Sequence, residues 1–138
     1  MRGIHYHQAA ATIELALSTA RKSNYPPISV VILDSGGHIK ACASEDGVGI
    51  LRHEIAKGKA YASIGMSVDT RDLQQLNQQG ILSTEFIGSV AAASHGKFNV
   101  NPGGAMIKER GSVIGAIGIS GGSAQQDELL IRTLLSAF

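Results

Sequence analysis

The stretch "GAIGISGGSAQQDE", residues 115–128, restricts the folds open to this chain more than any other segment. An apolar β-strand pattern is interrupted by Gly115 and Gly118, continues into Gly121 and Gly122, and passes directly into a polar, helix-favouring tail. Each glycine costs roughly 0.5–1 kcal/mol relative to alanine in regular structure, so a missing side chain must be required there. Successive strand residues face opposite sides. Gly115 and Ala116 therefore leave both faces low, Gly118 keeps the second face low, and a helix can approach closely. Gly121 and Gly122 permit positive φ and offer amide N–H groups at the start of the last helix, where a carboxylate can dock; the plain alternative is a tight joint without a ligand. The glycine spacing is not GxGxxG, and the short remaining chain cannot supply the βαβ unit of a dinucleotide site.

Periodicity places the other elements. Ala9, Ala10, Ile13, Ala16, Leu17 and Ala20 predict an amphipathic helix over about 7–23, ended by Asn24 and Pro26-Pro27. "ISVVILD", the turn "DSGG" and "HIKACA" predict a β-hairpin. Leu51, Ile55, Ala62 and Met66 predict a second helix over 50–66, and Asp69 or Thr70 can cap a third ending near Gln79. Residues 80–101 receive no assignment. Two strands over 104–108 and 112–119 then flank "ERGS", and a last helix starts near Ser123 and packs Leu130, Ile131, Leu134 and Leu135. Hairpins favour antiparallel pairing, so the expected class is α+β, with helices covering an antiparallel sheet.

With 138 residues the chain fits one domain, 1–138, able to bury a core unaided. Twelve basic and eleven acidic residues give a formal charge of +1, without the basic patch of a nucleic-acid binder. The single cysteine, Cys42, excludes an intramolecular disulfide framework. No signal-peptide core or membrane-length apolar run occurs, so the expectation is a cytoplasmic protein with neither membrane nor nucleic-acid partners.

"VVILDSGGHIKACASEDG", "EIAKGKAYAS", "DTRDL" and "NPGGAMIKERGSVIGAIGISGGSAQQDE" together resemble the GlcG/HbpS-like family, which includes the C-terminal domain of PduO-type corrinoid adenosyltransferases. The resemblance runs from about residue 7 to 135. It implies a profilin-like three-layer α/β/α sandwich around an antiparallel sheet, homo-oligomers and, in several members, binding of haem, sometimes with haem degradation or redox sensing. Lys59 fits the family's "KA" position, and Gly103 and Gly104 its double glycine. Ser44 and Glu45 replace a common basic position, "GGAMI" replaces "GGVPI", and 80–99 match poorly.

For iron, imidazole is the natural ligand, which directs attention to His7, His38 and His53. His5 and His7 are expected just ahead of the first helix, His38 beside the first hairpin turn, and His53 on the second helix; solvated or capping roles are the plain alternatives, and His95 falls in the unassigned segment. "HEIAK" lacks the second histidine of a zincin. Met106 is a further axial candidate or a core filler. Lys59 and the N–H groups of Gly121 and Gly122 are the expected holders of haem propionates, although a helix lysine is ordinarily solvated. No nucleophile–base set and no GxSxG elbow is present. The expected function is a haem- or tetrapyrrole-binding protein, in haem handling or redox sensing. The alternative is a cofactor-free accessory or assembly subunit linked to corrinoid, glycolate or diol utilisation.

Overall fold

The computed structural model describes residues 3–138; Met1 and Arg2, part of the expected 1–138 domain, lie outside the described residues. Two β-hairpins supply the sheet. β1 (Ser29–Asp34) pairs with β2 (Ile39–Ser44), β3 (Gly104–Glu109) pairs with β4 (Ser112–Ser120), and β1 joins β4, giving the antiparallel order β2-β1-β4-β3. The turns follow from local chemistry. Asp34 accepts the N–H groups of Gly36 and His38, and Arg110 and Gly111 take positive φ between β3 and β4.

Helices α1 (Tyr6–Lys22) and α5 (Ala124–Leu135) cover one face of the sheet, and α2 (Leu51–Met66) covers the other. The alternation of strand residues sorts the core between them. Val30, Ile32, Ile117 and Ile119 meet Ile13, Ala16, Leu130 and Ile131 below α1 and α5. Val31, Leu33 and Ala116 meet Ala56 and Ala60 of α2. The result is the expected α+β sandwich around an antiparallel sheet, and no helix among the described residues is long and apolar enough to cross a membrane.

Three expectations change in detail. α1 begins at Tyr6, so His7 lies inside its first turn, and the His5 N–H is held by Gln8 Oε1 at 2.9 Å. The unassigned segment contains a short helix, α4 (Thr84–Ala93), capped by Ser83 Oγ accepting from the Phe86 N–H. None of its residues is fully buried, although Ile87, Val90 and Ala91 lean on a small cluster of Ala62, Leu73 and Phe98. Asp69 stands at the N-cap of α3 (Thr70–Gln78), but its carboxylate turns away from that helix.

Close approach explains the glycine-rich strand. A Cβ on Gly118 would strike the carbonyl oxygen of Ala56, and a Cβ on Gly104 would strike the carbonyl of Lys59. The backbone of α2 therefore rests directly on the backbones of β4 and β3. Gly118→Ala should lower unfolding free energy by on the order of 3 kcal/mol, because backbone has to move. Gly65→Ala, on the open side of α2 where no atom lies within 4 Å, should instead raise it by about 0.5–1 kcal/mol. Urea denaturation of both variants checks the contrast, and equal effects would refute it.

Candidate functional site

The depth at which α2 lies determines what becomes of Lys59. Its Cα sits over Gly104, so the side chain emerges inside the molecule and is only 3% exposed. A buried ammonium needs partners, and two are provided: Nζ donates to the carbonyl of Ile119 at 2.8 Å and to Asp127 Oδ2 at 3.1 Å. Asp127, 2% exposed, accepts the Gly122 N–H on its other oxygen at 3.0 Å. Burial pulls the Lys59 ammonium below the ordinary lysine range despite Asp127, and burial pushes the Asp127 carboxyl up despite Lys59.

This arrangement gathers Lys59, Gly103, Gly104, Gly121 and Gly122 at one end of the sheet. Gly103 has φ +118, and a Cβ there would lie 2.9 Å from Lys59 Nζ; Gly121 has φ +149, and a Cβ there would meet the carbonyl of Pro27. The lysine is not solvated, and the Gly122 N–H is not free. Both are engaged with Asp127 inside the protein, which changes their expected part in holding a ligand. Ser123 Oγ accepts the Gln126 N–H, so α5 carries its own cap and Asp127 is released to serve Lys59.

A second set of contacts locks the edge strand β3. Thr70 Oγ1 accepts the Gly104 N–H at 2.9 Å and donates to its carbonyl at 3.1 Å. Asp69 Oδ1 accepts the Met106 N–H at 2.9 Å, while Oδ2 meets Arg132 of α5 at 2.9 Å. Arg132 also holds Glu128 at 2.6 Å. Glu128 and Arg132 are an i,i+4 pair within α5, whereas the Thr70 and Asp69 contacts link distant segments and were not recognisable from spacing.

The histidines are dispersed. His38 is exposed at the hairpin turn with Nδ1 3.3 Å from Asp34, which stays below the usual carboxyl range: burial pushes it up, but the His38 and Gly36 N–H groups and the His38 ring outweigh that. His53 is half-buried on α2, and His95 is exposed with positive φ. His7 is exposed on α1, its ring edge-on to Tyr6. Among the described residues no three His, Cys, Asp or Glu side chains form a metal-holding group.

His7 itself is not among the residues lining the groove beside α1. It shares a helix face with Ala11 and Leu15 one and two turns on, and these line an apolar groove of about 420 Å³ with Leu134 and Phe138. Phe138 also borders a polar groove of about 520 Å³ that contains Met106, Lys108, Asp69 and Arg132. Lys108 is exposed and has no ion-pair partner among the described residues.

Lys59→Met would leave the Asp127 carboxylate buried without its cation, and stability should fall by about 3–5 kcal/mol. Adding Asp127→Leu should recover most of that loss, because neither charge then remains. Additive losses in urea melts of the single and double variants would show that the two side chains are not coupled.

Comparison with known proteins agrees with this framework. The chain is 27% identical over 112 residues to an uncharacterized 15.0 kDa protein from the dhaT-dhaS intergenic region of Citrobacter freundii, covering 81% of this chain and 76% of that one. It is 25% identical over 134 residues to the corrinoid adenosyltransferase PduO of Salmonella typhimurium, covering 97% of this chain but only 38% of that protein. The crystal structure of a PduOC:heme complex superposes with a TM-score of 0.85 at 26% identity, over 99% of this chain and 95% of that one. The family model described as haem degrading protein HbpS-like matches residues 4–136, nearly the whole sandwich, and the chain therefore belongs to the HbpS-like family.

Proposed function

We propose that this protein is a cytoplasmic, homo-oligomeric haem-binding protein of one domain that acts in haem handling, with His7 as the axial ligand. The observation that carries the placement is a pair of grooves that share Phe138 as a common wall. Its apolar half suits the macrocycle, and His7 stands one turn before Ala11 on the same side of α1. Its polar half contains Lys108, without an ion-pair partner among the described residues, for the acidic edge of a porphyrin. The volumes of about 420 and 520 Å³ fall in the usual range for cofactor clefts, roughly 300–1,000 Å³.

The residues present fit the group in these grooves better than at Lys59. There the ammonium and the Gly122 N–H are already engaged by Asp127, and the neighbouring cavity holds only about 170 Å³. Haem, when bound, would supply an iron able to take a nitrogen ligand and to change redox state. The protein contributes the imidazole, the apolar walls and the lysine. Family membership and the haem-bound PduOC relative support the reading. Self-association is supported by large apolar side chains left outside, Ile50 at 93% and Leu51 at 67% exposure.

Hemin titrated into the protein should give a saturable, shifted Soret band. His7→Ala should weaken binding by about tenfold or more, while His38→Ala and His53→Ala leave it unchanged. A His7→Ala protein with wild-type affinity would move the site elsewhere, and no saturable band in the wild type would end the haem reading.

A further inference from the structure

Beside the Lys59–Asp127 pair lies a cavity of about 170 Å³ bordered by Arg52 and Ile55 of α2, Asn99 and Asn101 of the loop before β3, and Gly122 and Ala124 at the start of α5. Its charges do not balance. Arg52 and Lys59 bring two cations and Asp127 one carboxylate. Arg52 stands close enough to bias the ionisation of both members of the pair. Yet its guanidinium has no carboxylate partner among the described residues and makes a single bond, to Ser120 Oγ at 3.3 Å.

Neutral donors surround this excess charge. Asn99 Oδ1 accepts the Asn101 N–H at 2.9 Å, which leaves Nδ2 as the donor of that amide. Lys59 has two of its three protons engaged. Ala124 opens α5, a helix of 12 residues whose N-terminus favours negative charge. Ammonium and helix terminus favour negative charge, the amides donate to its oxygens, and the planar guanidinium fork selects an anion with two acceptor oxygens.

We propose that this cavity binds the carboxylate of a small organic acid, with Arg52 as the principal partner and Asn99 and Asn101 as neutral donors. A monoanion offsets the single excess positive charge, and the volume limits the guest to a few heavy atoms. The proposal does not rest on the haem reading, whose grooves are lined by residues of α1, the α2–α3 loop, α3, β3 and the C-terminal end of α5 and share no lining residue with this cavity.

Acetate titrated into the full chain at low ionic strength, followed by amide NMR, tests it. Saturable shifts are expected at Asn99, Gly122 and Ala124, with none for methylammonium. Arg52→Gln should weaken acetate binding by about tenfold or more. Asn101→Ala, an exposed change that leaves every ion pair in place, should weaken it by a smaller factor without altering the urea midpoint. Absence of saturable shifts in the wild type, or equal affinity in Arg52→Gln, would overturn the site. A hemin titration separates the two sources of carboxylate. Unchanged hemin affinity in Arg52→Gln and in saturating acetate supports a free acid, whereas competition between acetate and hemin would assign the site to a haem propionate and overturn the small-acid assignment.

Discussion

Backbone-to-backbone contact between α2 and the two C-terminal strands sets the rest of this structure. Where Gly104 and Gly118 present no Cβ, the helix settles until its own carbonyls touch the sheet. Helix and sheet normally meet through interdigitated side chains; here a short interval of Ala56, Ala60 and Ala116 replaces that layer. The opposite face, filled by isoleucine and leucine beneath α1 and α5, holds the greater part of the hydrophobic core. One side of the sheet thus serves cohesion, and the other places backbone and polar groups at close quarters.

The polar interior follows from that asymmetry. A helix lying so deep carries Lys59 below the surface, and the lysine dictates a carboxylate at 127 and a carbonyl at 119. Because a buried ion pair contributes little net stability against well-packed apolar residues, its value lies in fixing geometry. It ties the second helix to the last one across the end of the sheet, and it positions Arg52 and the loop around Asn99 about a small charged hollow.

The sequence reveals the elements whose signals are local. Period-2 runs bounded by Asp-Ser-Gly-Gly and Glu-Arg-Gly-Ser locate both hairpins, and the three- and four-residue spacing of alanines and leucines locates α1, α2 and α5. The glycine argument correctly anticipates a close helix over Gly118. What stays hidden depends on contacts between distant segments. Asp69 reads as a helix cap, whereas its carboxylate joins β3 to α5. Lys59 reads as a solvated helix residue; only the double glycine opposite it and an acid four residues after a serine cap hint at its burial. The α4 segment lacks a polar–apolar period because only Ile87, Val90 and Ala91 rest on a satellite cluster, rather than on the sheet, while Phe86 stays exposed. The histidines illustrate another limit, since residue type suggests iron while the fold leaves them dispersed, with no metal-holding group among the described residues.

That satellite arrangement gives the molecule an uneven architecture. A helix whose every residue keeps some contact with solvent contributes nothing that the four strands need for closure. Its few apolar contacts go to the small Ala62, Leu73 and Phe98 cluster, so its sequence is free of the constraints that bind the sandwich. The region between α3 and β3 is thus where this scaffold can acquire a new outer contour without disturbing the packing that gives it shape.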